Sequence, residues 1–232
     1  FCAFGIEYKI VMKTTFIRVF LPVLIMANLC FSGCADKPAD GGNAHETAIT
    51  AQDSSLWQSE YVHIAPTDIM DNMIGTIGKQ WMLVTAGTPQ SFNTMTAGWG
   101  ATGYIWGKPA AFIMVRDSRY TYEFIEREQA YTLSFFNEEY KHALNICGTR
   151  SGRACDKVKE AGLTPVVTPS GMMAFREARL IIECRNMFEQ RMDTAHLNPA
   201  YKDEVLRSYY TRDEAIHQLY ISEITNVWIK KQ

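Results

Sequence analysis

Between Arg116 and Tyr122 the chain reads Arg-Asp-Ser-Arg-Tyr-Thr-Tyr. Two guanidiniums and two hydroxyls, from Arg116, Ser118, Arg119 and Thr121, fall within a very short stretch. The apolar run from Ala110 to Val115 leads into it with strand character, and Arg119 to Glu128 leaves it with helical character. Where a strand gives way to a helix, the first helical N–H groups lack internal partners and the helix dipole favours negative charge. Guanidiniums add strong, directional hydrogen bonds to phosphate or carboxylate oxygens. The segment therefore has the chemistry of an anion site. A competing reading is a surface loop whose arginines pair with Asp117 and Glu123, and residue types alone do not separate the two.

Other reactive residues carry weaker signals. The five histidines show no metal-ligand spacing, and His142 reads as a helix-surface residue. Cys34, Cys147, Cys155 and Cys184 form no C-x-x-C pair, so Cys147 reads as a packed helix residue rather than a redox thiol, and a Cys147–Cys155 disulfide stays open. Gly98-Trp99-Gly100-Ala101-Thr102-Gly103 matches the G-x-G-x-x-G pattern of dinucleotide-binding folds. That pattern needs a helix beginning at its third glycine, and Gly107 and Pro109 follow too closely to allow one. These glycines are expected in a loop or bulge. No paired carboxylates or nucleophile–base arrangement stands out. The formal net charge is −2 and no Lys/Arg run exceeds a pair, which excludes the basic footprint of a nucleic-acid binder.

The elements that would position these groups are mostly strands. Residues 80–86, 91–99, 110–115, 131–136 and 217–229 have β character, and 174–191 forms a longer run expected to be bent or bulged. Helices are expected over 119–128 with Ser118 as N-cap, over 138–147 with Tyr140, Leu144 and Cys147 on one stripe, over 155–161 ending at Gly162, and over 203–210. Strands and long helices do not alternate regularly, so a mainly β fold, a small antiparallel barrel with decorating helices, is expected.

The order of fragments then resembles the flavin reductase-like (flavoredoxin-like) family: Phe92 to Trp99, Lys108-Pro109, Val115 to Tyr122, Leu133 to Phe136, Ala143 to Gly148, Ser151 to Arg153, Asp156-Lys157, and Ala161 to Thr164. The resemblance implies a six-stranded antiparallel, Greek-key FMN-binding split barrel that forms a homodimer. It places Arg116, Ser118, Arg119 and Thr121 at the FMN phosphate and Tyr120 at the ring or ribityl chain. Asn93, Thr94, Met95 and Thr96 fall along the pyrimidine edge of the flavin. Ser134, Cys147, Gly148, Ser151 and Lys157 complete the cofactor set, with Lys157 as its cation, although a lysine in a short helix is ordinarily solvated. Trp99 and Trp106 could shield the ring or pack in the core. The implied activity is that of an oxidoreductase taking electrons from NAD(P)H or a redox partner. A non-catalytic flavin-binding or electron-carrier protein is the alternative.

The N-terminal residues have a different character. Lys13 and Arg18 precede an apolar run from Val19 to Ala27, as in a secretory signal, and Pro22 argues against a stable membrane helix. Phe31-Ser32-Gly33-Cys34 resembles a lipobox with Cys34 as the lipid-bearing residue. Phe31 stands where Leu is usual, and an ordinary cleaved signal is the competing reading. Residues 1–11 precede Met12 and read as an upstream extension. Residues 35–56 read as a flexible tether to a domain over 57–232. The expected location is thus the bacterial envelope, as a periplasm-facing lipoprotein.

Overall fold

A computed structural model describes Trp57, residues 59–210 and residues 216–231. The signal, lipobox and tether expectations lie outside the described residues. Ten strands occur among them: β1 (Tyr61–Ile64), β2 (Met82–Thr88), β3 (Ser91–Ala97), β4 (Gly100–Ile105), β5 (Lys108–Arg116), β6 (Ala130–Phe135), β7 (Pro165–Val167), β8 (Met173–Phe175), β9 (Leu180–Arg191) and β10 (His217–Lys230). The larger sheet runs in the order β3-β2-β6-β9-β10-β5-β4, with β1 added against β10, while β7 and β8 pair separately. All pairings are antiparallel. The mainly β expectation is met, but the main sheet has eight strands rather than six.

Side-chain alternation explains why several strands read as unbroken apolar runs. Met82, Val84 and Ala86 enter one apolar cluster with Leu180, Ile182 and Cys184, whereas Leu83 and Ile181 enter a second. Both faces of β2 and β9 are therefore covered, and no polar face was available to mark them as strands of a one-sided sheet. The long 174–191 run divides into β8 and β9, with Ala178 buried between them. The expected irregularity lies in the β9–β10 pairing, whose register shifts between Ile221 and Ser222 and again between Ile224 and Asn226.

Besides short helical segments at Met73–Gly75 and Thr76–Gln80 and three-residue 3-10 turns, four helices decorate the sheet among the described residues: α1 (Tyr120–Glu128), α2 (Lys141–Thr149), α3 (Lys157–Glu160) and α4 (Pro199–Tyr209). α1 buries Thr121, Phe124 and Ile125, one stripe at helical spacing, and Tyr120 meets Phe124 edge-on at 5.0 Å. α2 buries Ala143, Leu144 and Cys147, and Tyr140 just before it packs on the same cluster. Ser118 is not the N-cap of α1. Arg119 takes that place in extended conformation, and no side chain caps the helix. Of the glycines of the G-x-G-x-x-G match, Gly98 lies in the loop between β3 and β4 as expected, whereas Gly100 and Gly103 depart from expectation and lie within β4. A Cβ on Gly100 would sit 2.5 Å from the Phe112 carbonyl oxygen of β5, so close strand approach accounts for the glycine there. No described helix is long and apolar enough to cross a membrane.

Candidate functional site

The anion-site segment lies where β5 ends and α1 begins. Arg116 closes β5, and Ser118 to Thr121 carry the chain into the uncapped N-terminus of α1. The end of α2 and the loop after it supply the opposite wall through Thr149, Arg150, Ser151 and Gly152, and Lys157 comes from the first turn of α3. Together with Met95 of β3 these residues enclose a cleft of about 290 Å³. Arg116, Arg119, Arg150 and Lys157 line it, and no acidic side chain does.

The ion pairs decide between the two readings of the arginines. Asp117 pairs with Arg191 at 3.4 Å, and Glu123 pairs with Arg153. Arg116, Arg119 and Lys157 have no carboxylate partner among the described residues. Arg119 Nη1 donates to the Gly148 carbonyl at 3.1 Å, and Arg116 Nη2 donates to the Tyr209 carbonyl at 2.5 Å. These are neutral acceptors, so the positive charges remain available to a ligand. Arg150 reaches Glu160 outside the cleft at 3.8 Å, and of the four cations only Lys157 is buried; the cost of leaving that buried charge without a counter-charge, together with the two unpaired guanidiniums, makes an anionic ligand the natural complement of this lining.

Lys157 is buried at 5% exposure, contrary to the solvated lysine that its short helix suggests. Its Nζ donates to the carbonyls of Cys147 at 3.1 Å and Arg150 at 3.3 Å, and Asp156 caps the helix by accepting from the Lys159 N–H at 3.1 Å. Burial, with the charge of Arg119 added, draws its pKa below the ordinary lysine value.

The loop wall is seated closely. Asn93 Nδ2 donates to Thr121 Oγ1 at 2.8 Å, joining β3 to the first turn of α1, and both residues are buried. A Cβ on Gly152 would fall 2.1 Å from Asn93 Oδ1 and 3.3 Å from the Tyr120 ring. Only glycine lets the loop approach this hydrogen bond so closely. Arg153 lies over the Tyr120 ring, 4.5 Å from its centroid, while pairing with Glu123, and so clamps the loop to α1.

Of the residues singled out from sequence, Met95, Arg116, Ser118, Arg119, Tyr120, Thr121, Ser151 and Lys157 line the cleft. Asn93 supports it through Thr121 and lines an adjoining hollow that also borders Gly152 and Lys157. Thr96 donates to the Leu144 carbonyl at 2.5 Å and faces a second neighbouring cavity. Gly148 and Cys147 take part through their carbonyls. The Cys147 thiol is buried, and burial pushes its pKa up to about 11. Thr94 hydrogen-bonds Thr85 at 2.9 Å within the sheet, and Ser134 is fully buried; neither lines the cleft. Cys147 and Cys155 are free thiols, so the disulfide left open by the sequence is absent. Trp99 borders the second cavity and Trp106 is exposed. Thr149, Arg150 and Gly152 are additional lining residues; Gly152 and Arg153 stood in a family-like fragment, but nothing local marked the wall they form.

The fold and cleft define a class: an antiparallel β protein with a cation-lined anion pocket at a strand-to-helix junction. Residues 74–232 match the model of the flavin reductase like domain, and the chain belongs to that family. Among solved structures, it is similar to an FMN-binding protein from Thermus thermophilus with bound p-hydroxybenzaldehyde, at 16% identity and a TM-score of 0.51 over 65% of this chain and 71% of the other. It is similar also to an FMN-binding domain of a flavin reductases-like enzyme from Shewanella baltica, at 14% identity and TM-score 0.52 over 73% and 76%. Flavoredoxin from Methanosarcina acetivorans matches at 19% identity and TM-score 0.50 over 66% and 69%. At these identities the likeness is one of fold. No curated protein matches in sequence.

Proposed function

We propose that the cleft holds FMN and that the protein is a flavin reductase-type oxidoreductase drawing electrons from NAD(P)H. The observation that carries this reading is the cation-rich lining free of carboxylates, at an uncapped helix N-terminus, in a chain of this family. A phosphate monoester brings close to two negative charges at neutral pH. Arg116, Arg119 and the hydroxyls of Ser118 and Thr121 would hold it, with Tyr120 and Ser151 beside the ribityl chain. Asn93, Met95 and Thr96 supply the β3 side. When bound, FMN supplies the hydride and electron transfer, so the protein itself needs no nucleophile or acid–base pair. The protein's part is to bind, orient and hold charge. Lys157 keeps an ammonium fixed by two carbonyls, positioned to favour a ring that gains negative charge on reduction.

The test is an anaerobic NADH and NADPH titration of the FMN-loaded protein. Prompt bleaching of the flavin band is expected, and a retained band that stays oxidised would overturn the NAD(P)H-dependent activity in favour of a carrier. Homodimerisation and lipid attachment through Cys34 complete the proposal. Light scattering checks the first, and loss of metabolic fatty-acid labelling in Cys34→Ala checks the second.

A further inference from the structure

The hairpin between β4 and β5 turns through Ile105-Trp106-Gly107-Lys108, and the pairing of Ile105 with Lys108 leaves only Trp106 and Gly107 in the turn. Both have left-handed backbone angles, φ 51° and φ 75°. Such a turn favours Asn or Gly at its first position, and a bulky ring there carries strain. Core packing does not explain the tryptophan either, since 61% of it is exposed. Tyr104, 71% exposed, curls over the turn, its hydroxyl donating to the Gly107 carbonyl at 2.8 Å. Phe188 of β9, 39% exposed, meets the Trp106 ring edge-on at 6.2 Å.

Topology separates this aromatic tip from the anion cleft. β5 runs nine residues from Lys108 at the tip to Arg116 at the cleft, about 26 Å at the usual rise of a strand. The same order holds along β10. His217 pairs with Arg116, Glu223 pairs with Ala110, and Val227 to Lys230, farther still from the cleft, pair with β1. The N-terminal chain therefore joins the sheet at the end that carries the tip. Trp57 fixes that junction: its Nε1 donates to the Val167 carbonyl at 2.7 Å, and its ring meets those of Tyr61 and Trp228 at 4.6 and 5.3 Å. Residues 35–56 lie between it and Cys34.

We propose that Tyr104, Trp106 and Phe188 seat in the headgroup region of a lipid bilayer and turn the anion cleft away from it. The proposal rests on lipid attachment through Cys34, which brings this end of the sheet to the membrane. Attachment also makes the contact intramolecular, so the tip needs little affinity of its own. Tryptophan and tyrosine suit this boundary because each joins an apolar ring to a polar handle. The charge behind them is neutralised by the Lys108–Glu223 pair at 2.6 Å, so anionic lipid is not required. A second copy of the chain fits less well. At roughly 200 Å² per aromatic side chain the three rings expose about 350 Å². That is less than half of the roughly 800 Å² each partner buries in a stable interface.

The test is quenching of tryptophan fluorescence in the full chain on phosphatidylcholine vesicles with brominated acyl chains, compared with unbrominated ones. All five tryptophans lie at or beyond Trp57, so the signal reports residues 57–232 however the N-terminus is attached. Quenching is expected to be kept by Trp99→Phe, whose ring meets His217 at the cleft end, and lost in Trp106→Phe. Tyr104→Ser should reduce it about twofold or more. No quenching in the wild type, quenching kept by Trp106→Phe, or quenching lost in Trp99→Phe would each overturn the proposal. A dimer that Trp106→Ser converts to monomers in light scattering would also overturn it, giving the tip to a second copy. Failure of the chain to bind vesicles would instead sink the lipid-attachment reading. An N-terminally His-tagged chain held on nickel-chelating lipid then repeats the same comparisons and decides the role of the tip.

Discussion

Replacing Gly152 by alanine tests how the cleft is built. The added Cβ would lie 2.1 Å from Asn93 Oδ1 and 3.1 Å from its Cγ, well inside contact distance. Asn93 cannot swing away freely, because its Nδ2 donates to Thr121 Oγ1 at 2.8 Å in a buried site. If the amide rotates, buried polar groups lose a partner at a cost of about 1–3 kcal/mol. If the loop lifts instead, overpacking costs a similar amount, about 1–3 kcal/mol, and the Arg150–Ser151 wall leaves the cleft. Either way Tm should fall, by roughly 2–4 °C per kcal/mol for a domain of this size. FMN affinity should fall with it, by about tenfold for each 1.4 kcal/mol of wall displacement transmitted to the ligand. Gly78→Ala is the control, since an added Cβ there meets nothing within 4 Å. Differential scanning fluorimetry and quenching of FMN fluorescence measure the two effects. A Gly152→Ala protein with wild-type Tm and wild-type FMN affinity would refute the seating of this loop.

Arg119→Ala should weaken FMN binding by about 10–100-fold, the range for one charge-assisted hydrogen-bonding partner, and should flatten its salt dependence; fluorescence titration at two ionic strengths checks both. His217 has its pKa lowered from 6.5 to about 4, so the unfolded chain binds the extra proton first as pH falls. Its contribution, at most about 3 kcal/mol, is present above pH 6.5 and is lost as pH falls towards 4. His217→Gln should reduce the slope of stability against pH in that window, as denaturant melts would show, and an unchanged slope would remove His217 as the cause. The Cys147 thiol, buried and with its pKa near 11, should resist iodoacetamide at pH 8 until the protein is unfolded, and labelling of native protein read by mass spectrometry would contradict its packing.

Local patterns carried much of the fold. The apolar runs of β2, β5, β6 and β10 and the helical stripe of Thr121, Phe124 and Ile125 can be found from neighbours in sequence. β4 escaped because its glycines, needed for close approach to β5, imitate a loop motif. The 174–191 run concealed a break because residues on both sides of it are buried. At the site, Arg116, Ser118, Arg119 and Thr121 were legible because they are contiguous. The Asn93–Thr121 bond joins residues 28 apart, and the burial of Lys157 depends on carbonyls contributed by α2 and the following loop. The Trp99 ring meets those of Tyr209 and His217, at 4.9 and 4.7 Å, because of where α4 ends. Such juxtapositions are made by tertiary structure, and no local spacing announces them.

The measurement that bears most directly on the central claim is the visible absorption spectrum of the protein after mixing with FMN and removing the excess, with wild type and Arg119→Ala compared. A flavin band retained near one FMN per chain by the wild type, and depleted in the variant, is the result predicted. No retained band, with no saturable change in FMN fluorescence on titration, would contradict FMN as the ligand of this cleft.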